Sequence, residues 1–270
     1  MDEATGPREL ATAAPVIGQV LPVVPLGLRP DDPVRVPDVM LDAVVAGGRC
    51  VAAASLIGLG HRAGGGCRQD AYSLCVDPDG RVCVAVADGL GSRPASHLGS
   101  ALFVESVALA ARAEPTGDPA ELLLAAQERT ERLALQAYGL SGDDLSLVAA
   151  VALVTEAGVT IARVGDVTAF AVRDGGFVEV FPPGDGYLNL VTTTIPGVLA
   201  EAVETALVGG TDPVALVTDG VATDLRASGG VRAWLASRWR EPLGPFAMGD
   251  SLQYRRQGSH DDRTAVVVWP

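Results

Sequence analysis

Aromatic residues are scarce in this sequence, at 4% of 270 residues, although 48% of the residues are hydrophobic. The core must therefore be built mainly from Val, Leu, Ile and Ala, and short runs of branched aliphatic residues favour buried β-strands. Long apolar runs are also missing, since none approaches the ~20 residues that a membrane-spanning helix needs. The N-terminus, MDEATGPREL, lacks a basic segment followed by an apolar block. We therefore expect a soluble, cytoplasmic protein with no membrane partner.

The sequence has only four cysteines, and none of them belongs to a C-x-x-C pair. The common pattern of a zinc site is therefore absent, and a disulfide framework is not expected in a chain of this size. Cys75 and Cys83 lie in apolar runs and are predicted to be small core residues.

Basic residues are in the minority: 20 Lys and Arg stand against 33 Asp and Glu, which gives a net charge of -13. Such a surface repels phosphates, so no nucleic-acid partner is expected. The acidic charge is compatible with a site for divalent cations, although solubility alone would also explain it.

Residues 1–46 differ from the rest of the chain because prolines recur every few residues, as in PVIGQVLPVVPLGLRPDDPVRVPD. Proline removes backbone donors, so this stretch cannot form long helices or central strands. We expect a proline-rich N-terminal extension over residues 1–46, partly packed through its Val and Leu, and one domain over residues 47–270.

Short apolar runs separated by glycines predict strands from Cys50 onward, with hairpin turns at Asp79-Gly80 and Asp174-Gly175. Helices are predicted over residues 95–113, 119–138, 229–239 and 244–257. Hairpin-linked strands with helices in pairs favour an α+β sandwich, in which two mostly antiparallel sheets pack face to face and helix pairs cover the outer faces. A doubly wound parallel sheet would need strands and helices to alternate.

Aspartates recur at the ends of the apolar runs: Asp70, Asp88, Asp166, Asp219 and Asp261. A strand end holds its carboxylate with little freedom, and hard divalent cations prefer oxygen ligands. Several carboxylates brought together repel one another unless cations neutralise them. The pattern therefore favours a divalent-cation site.

A plain turn is the alternative for any single Asp-Gly pair. Asp79-Gly80, Asp174-Gly175 and Asp185-Gly186 are interpreted in this way. Asp88 and Asp219 differ from them, because each follows a run too apolar for an edge strand and leads into a helical segment.

Five acidic motifs occur in order: QDA (69–71), VADGLGS (86–92), VGD (164–166), VTDG (217–220) and SHDDRT (259–264). Together they resemble the type-2C metal-dependent protein phosphatase family, and GHRAGGGCRQDA (60–71) is similar to the entry motif of a bacterial branch. The resemblance covers roughly residues 50–270 and implies a four-layer αββα sandwich. It also implies a phosphatase for phosphoserine or phosphothreonine proteins, which opposes a bacterial Ser/Thr kinase.

The resemblance implies a binuclear Mn or Mg centre between the sheets, which activates a water for attack on phosphorus without a phosphoenzyme. Asp70 would contact the ions mainly through water, and Asp88 would bridge them, with the carbonyl of Gly89 as a further ligand. The other implied ligands are Asp219 and Asp261 for one ion and Asp166 for a weaker third.

Some positions depart from the family pattern. Gly65 stands where many members have a phosphate-binding arginine, so His61, Arg62 and Arg68 become candidates for that contact, although each is as readily explained as a solvated surface residue. Leu90 stands where some members have a proton-donating histidine, so a metal-bound water or His61 would protonate the leaving group. The expected catalytic residues are Asp70, Asp88, His61 and Arg62.

Two further departures affect the acidic motifs. Thr223 stands where an aspartate often completes the third-ion site, with Asp224 one residue later. Asp262 replaces the usual asparagine and is interpreted as a structural residue that orients its neighbour.

Two other functions stay open. One is a catalytically weak or inactive phosphatase-fold module that binds and regulates a phosphoprotein or a kinase, which the missing arginine at Gly65 favours. The other is an acidic α+β domain without metal, which requires all five motif matches to be accidental.

Overall fold

A computed structural model describes residue 17 and residues 36–113, 116–181 and 193–269 of the chain. The strands in these residues are β1 Val39–Ala46, β2 Arg49–Leu56, β3 Ala71–Val76, β4 Val82–Gly89, β5 Leu147–Thr155, β6 Gly158–Val164, β7 Thr168–Arg173, β8 Gly176–Glu179, β9 Glu204–Val208, β10 Val214–Val217 and β11 Arg263–Trp269. The α-helices are α1 Leu59–Ala63, α2 Ser96–Ala113, α3 Pro119–Tyr138, α4 Gly142–Leu145, α5 Asp219–Ala227, α6 Gly229–Arg238 and α7 Pro245–Leu252.

Two sheets form the middle of the fold. The larger has the strand order β1-β2-β11-β10-β7-β8, and the smaller has the order β3-β4-β5-β6-β9. Every strand pair in them is antiparallel. Because neighbouring strands need only short turns in this arrangement, hairpins account for much of the connectivity.

The alternation of side chains along β4 shows how the layers stack. Val84 and Val86 join the apolar cluster between the two sheets, whereas Cys83 and Ala85 join a second cluster under α2 and α3. A third cluster, which includes Trp239, lies between the larger sheet and α5, α6 and α7. The predicted fold class, an αββα sandwich of two antiparallel sheets, is confirmed.

The longest predicted helices are confirmed by α2 and α3. Asp118 caps α3, since its carboxylate accepts a hydrogen bond from the Ala120 N–H at 2.8 Å, and Pro119 occupies the first turn. Gly139 ends the same helix in a left-handed conformation, with φ of 68°. The capping signals in the sequence therefore define both ends.

Helix α6 also agrees with its prediction, whereas α7 is shorter than the predicted 244–257. It ends at Leu252, because the following residues turn away to pack on α5. The hydroxyl of Tyr254 donates to Asp224 at 2.8 Å, and the Ser259 hydroxyl donates to the same carboxylate at 2.6 Å. The short helices α1 and α4 were not predicted, since single turns carry little periodic signal.

The predicted hairpin turns at Asp79-Gly80 and Asp174-Gly175 are confirmed, between β3 and β4 and between β7 and β8. Asp174 has a positive φ of 49°, which aspartate tolerates in a turn. The predicted turn at Asp185-Gly186 lies outside the described residues.

The end of the predicted N-terminal extension forms an edge strand. Val39–Ala46 pairs with β2 along its whole length, and the prolines of the extension all precede it, the last being Pro37. Further upstream, the Ile17 N–H donates to the Arg255 carbonyl at 2.9 Å. In the described part of the chain, no helix has both the length and the apolar character needed to cross a bilayer.

Candidate metal centre

The two sheets bring the five predicted aspartates to one edge of the sandwich. Ala71 pairs with Ala87, so Asp70 and Asp88 lie side by side at one end of the β3–β4 hairpin. The remaining three stand at the ends of β6, β10 and β11: Asp166, Asp219 and Asp261. These strands come from both sheets, and their carboxylates therefore meet where the sandwich opens.

The electrostatics of Asp88 show how close these groups are. Its pKa is raised well above the ordinary value, first by burial and then by four neighbouring carboxylates: Asp70, Asp219, Asp261 and Asp166. The side chain is enclosed by protein yet keeps an accessible face, as expected for the wall of a narrow cleft. The cluster therefore carries negative charge that its own members do not neutralise.

The same repulsion acts on the other members. Burial, followed by the charges of Asp261 and Asp166, raises the pKa of Asp219 to about 7. Burial and the charge of Asp262 are the leading causes that raise the pKa of Asp70. Burial also raises the pKa of Asp166, although two arginines oppose it.

Asp88 and Asp219 are neighbours in the cluster, since each influences the pKa of the other. Within residues 36–113, 116–181 and 193–269, no three His, Cys, Asp or Glu side chains are arranged as a ready metal-binding group. The donor chemistry nevertheless fits a hard divalent cation, because the cleft offers carboxylate oxygens with surplus negative charge. Such a cation would offset the repulsion between these carboxylates.

Two glycines hold the loop that carries Asp261. A Cβ on Gly58 would overlap the backbone of Asp261, and a Cβ on Gly220 would overlap the carbonyl of Asp262. The loop is thus clamped between the start of α1 and the first turn of α5. Gly89 has a similar role at the end of β4, since a Cβ there would lie 2.8 Å from the backbone of Ser96.

Buried hydroxyl groups hold Asp70 in place. Thr218 donates its hydroxyl to the Asp70 carboxylate at 2.7 Å and accepts a hydrogen bond from the Thr264 N–H at 3.1 Å. The Thr264 hydroxyl lies 2.5 Å from that of Ser55. Asp70 is therefore tied to the larger sheet although it begins a strand of the smaller one.

Arg68, one of the predicted candidates for phosphate contact, is fully buried. Its guanidinium donates to the carbonyls of Pro37 and Asp70 and to the Ser55 hydroxyl. With its donors directed to these groups, Arg68 stabilises the start of β3 and is not placed to meet a substrate. The prediction that Arg68 is a candidate for phosphate contact was therefore wrong.

Asp262 connects the loop before β11 to the segment between β2 and β3. It is 1% exposed, and its carboxylate accepts hydrogen bonds from the backbone N–H groups of Gly58 and Gln69, both at 2.6 Å. The structural role predicted for Asp262 agrees with these contacts. The same carboxylate binds Nδ1 of His61 at 3.0 Å.

His61 is 28% exposed and stands beside the acidic cluster. The hydrogen bond to Asp262 raises its pKa above the ordinary value, against the opposing effect of burial, and the charges of Asp261 and Asp70 act in the same direction as the hydrogen bond. With Nδ1 bound to Asp262, Nε2 is the nitrogen left for another partner.

Arg62 lines a pocket of about 230 Å³ next to the cluster. Its lining also includes Gly58 and Asp261, together with Arg255 and Arg263. The pocket does not enclose Asp70 or Asp88, so it adjoins the carboxylate cluster at Asp261.

Asp224, one residue after Thr223, belongs to a separate hydrogen-bond network. It is 1% exposed and accepts a hydrogen bond from Arg256 at 2.7 Å, besides those from Tyr254 and Ser259. Its carboxylate is therefore used to fix the loop after α7.

Sequence reasoning missed the hydroxyl groups that support Asp70. The available signal was polar residues inside strongly apolar runs, namely Ser55 in VAAASLIG and Thr218 in PVALVTDG. A buried hydroxyl needs a hydrogen-bond partner, so such positions indicate a buried polar network.

Several solved structures share this fold, and bacterial phosphatases are among them. The serine/threonine phosphatase PstP/Ppp of Mycobacterium tuberculosis is 20% identical, with a TM-score of 0.61 over 83% of this chain and 99% of that chain. The serine/threonine phosphatase of S. agalactiae is 16% identical, with a TM-score of 0.59 over 86% and 99%. RsbX in complex with magnesium is 16% identical, with a TM-score of 0.56 over 85% and 99%.

At these identities the structural similarity shows the fold alone. No curated protein matches the sequence significantly. The family model described as Protein phosphatase 2C, however, matches residues 57–253. This range begins one residue before Gly58 and contains four of the five clustered aspartates, and the match extends over more than half of the chain. The chain therefore belongs to the protein phosphatase 2C family.

Proposed function

We propose that this chain is a cation-dependent protein serine/threonine phosphatase. The observation that carries the proposal is the convergence of five carboxylates from two sheets. Four of them, Asp70, Asp88, Asp166 and Asp219, have raised pKa values, and no basic group is among the leading influences on Asp88 or Asp219. Such an arrangement is costly for the fold unless it serves a cation. Family membership supplies the reaction class.

The proposed ligands are assigned by position in the cleft. Asp88 would hold both ions, with the carbonyl of Gly89 as a further ligand, and Asp70 would act mainly through water. Asp219 and Asp261 would hold one ion, and Asp166 a weaker third. When bound, Mn²⁺ or Mg²⁺ would lower the pKa of a coordinated water and neutralise charge on the phosphoryl oxygens. RsbX, a relative in fold, was crystallised with magnesium.

His61 is proposed to supply the proton that the leaving seryl or threonyl oxygen needs. Asp262 fixes the ring through Nδ1, which leaves Nε2 to carry and release the proton. Arg62, at the rim next to Asp261, is proposed to contact the phosphoryl group, since Arg68 is committed to the protein interior.

The proposed substrate is a phosphoserine or phosphothreonine protein, produced by a bacterial Ser/Thr kinase. Several relatives in fold are described as serine/threonine phosphatases, which supports this class. None of the four cysteines forms a disulfide, in keeping with the reducing cytoplasm proposed as its location.

The test is phosphate release from a phosphothreonine peptide by the full chain, with Mn²⁺ and with chelator. We expect turnover only with the cation, and a loss of about 100-fold or more for Asp88→Asn, because a bridging ligand is removed. Asp79→Asn is the matched control: it lies at the other end of the same hairpin and its side chain is 64% exposed. Equal activity of both variants would refute the proposal.

An inactive phosphoprotein-binding module is the second candidate. Two observations favour it: Gly65 stands in the place of a phosphate-binding arginine, and Arg68 is buried. Of the arginines predicted to contact phosphate, this leaves Arg62 near the cleft. Calorimetry with the same peptide separates the two: binding without any turnover in saturating Mn²⁺ would favour the module.

A further inference from the structure

The β3–β4 hairpin carries two cysteines at directly opposite positions. Cys75 pairs with Cys83 in the register of the antiparallel ladder, and both side chains face the layer under α2. Directly opposite residues on one face have Cβ atoms about 4.5–5.5 Å apart. The two thiols are close enough to share a hydrogen bond.

The surroundings of the two sulfurs differ. Cys83 is 1% exposed, whereas Cys75 is partly accessible near the turn of the hairpin. The hydrogen bond from Cys83 lowers the pKa of Cys75, and the charge of Arg112 acts in the same direction. The same hydrogen bond and burial raise the pKa of Cys83. Cys75 is thus the accessible nucleophile, and Cys83 is the partner held behind it.

We propose that Cys75 and Cys83 form a reversible dithiol–disulfide couple that reacts with small-molecule disulfides such as oxidised glutathione. The Cys75 thiolate attacks one sulfur of the glutathione disulfide, forms a mixed disulfide and releases one glutathione thiolate. Cys83 then loses its proton and attacks the Cys75 sulfur, which releases the second glutathione. Two protein thiols are oxidised, and one glutathione disulfide is reduced to two thiols.

Geometry favours a reversible bond over a permanent one. A disulfide prefers Cβ atoms about 3.5–4.5 Å apart, closer than most opposite pairs in a sheet, so the strands must approach one another when the bond forms. Strain of this kind makes a disulfide easier to reduce. We therefore expect Cys75 and Cys83 to be reduced in a reducing compartment and to form the disulfide under oxidative stress.

The two cysteines lie on the same hairpin as Asp70 and Asp88 of the carboxylate cluster. Cys75 lies five residues after Asp70 on one strand, and Cys83 lies five residues before Asp88 on the other. The disulfide would join the two strands that carry these carboxylates. The inference itself does not depend on phosphatase activity.

The experiment is thiol mapping of the native full chain. The protein is treated with oxidised glutathione and alkylated, then digested without reduction for mass spectrometry. We expect a crosslinked peptide that joins Cys75 and Cys83, without a lasting glutathione adduct on either, and full recovery of both thiols after dithiothreitol. Cys50, which stands opposite Val45 and Trp269, provides the control variant Cys50→Ser, which should leave the crosslink unchanged.

A second variant isolates the proposed order of steps. In Cys83→Ser we expect a stable glutathione adduct on Cys75, because the resolving thiol is gone. The wild-type result needs no variant and stands even if Cys83→Ser fails to fold. The proposal is overturned if both thiols of the wild-type chain can still be alkylated after treatment, or if glutathione remains attached to Cys75.

Discussion

Asp261 and Asp262 are adjacent in the sequence but have opposite surroundings. Asp261 is exposed at the rim of the carboxylate cluster, whereas Asp262 is 1% exposed and accepts three hydrogen bonds. Asp262→Ala should lower the free energy of unfolding by on the order of 2–4 kcal/mol, since it leaves buried N–H groups without partners. Urea denaturation measures this loss.

The neighbouring variant Asp261→Ala is the matched control for that measurement. Its side chain accepts one hydrogen bond, from the Asp262 N–H at 2.9 Å, and we expect a change in stability below about 1 kcal/mol. It should instead raise the Mn²⁺ concentration needed for half-maximal activity by about tenfold or more. Equal destabilisation by the two variants would contradict the separation of structural and ligand roles.

Asp219 gives a prediction about pH. Its pKa in the folded chain is about 7, against an ordinary value of 3.8. Between these values the folded chain binds a proton that the unfolded chain does not, so stability is highest at low pH and falls as the pH rises through this window. With chelator present, unfolding at about pH 8 should require on the order of 1 kcal/mol less than at about pH 5.5, after allowance for solvent screening.

The measurement is urea denaturation at both pH values, with chelator, for the wild type and Asp219→Asn. The variant cannot ionise, so it should show a smaller difference between the two pH values. Mn²⁺ should restore stability to the wild type at the higher pH, because it takes the place of the bound proton. A wild type that grows more stable as the pH rises would show that the carboxylates do not repel one another as described.

At the scale of elements, two glycines decide where the Asp261 loop lies. Gly58→Ala and Gly220→Ala each place a methyl group against the backbone of this loop, and each should cost ~1–3 kcal/mol through forced displacement. Activity should fall with them, since Asp261 moves with the loop. Gly117→Ala is the control: no atom lies within 4 Å of its added Cβ, and it should be neutral in both assays.

Sequence patterns predicted the elements that carry local signals. Helix α3 has capping residues at both ends, and the two hairpins have Asp-Gly turns. Both signals depend on residues within one segment. The short helix α1 and the edge strand β1 were missed as elements, because one has a single turn and the other follows a proline-rich stretch. Their formation depends on contacts with distant residues, such as the bond from Gly58 to Asp262.

The same distinction between local signals and contacts with distant residues applies to the candidate site. The positions of the aspartates at strand ends could be predicted from apolar runs, and the structure brings all five together. The partners of Arg68 could not be predicted, because a buried guanidinium that binds carbonyls and a hydroxyl has the same sequence signal as an exposed arginine. Which buried polar group meets which is a property of the packed sandwich.

For the whole molecule, the net charge of -13 leads to a prediction about substrates. An acidic surface attracts basic peptides and raises the rate at which they reach the cleft. A phosphothreonine peptide flanked by lysines should therefore have a kcat/KM about three- to tenfold higher than a matched peptide flanked by glutamates at low salt. Because salt screens these charges, the ratio should approach unity at about 0.5 M NaCl. A preference for the acidic peptide, or a ratio that salt leaves unchanged, would mean that local contacts in the pocket next to Arg62 outweigh the field of the molecule.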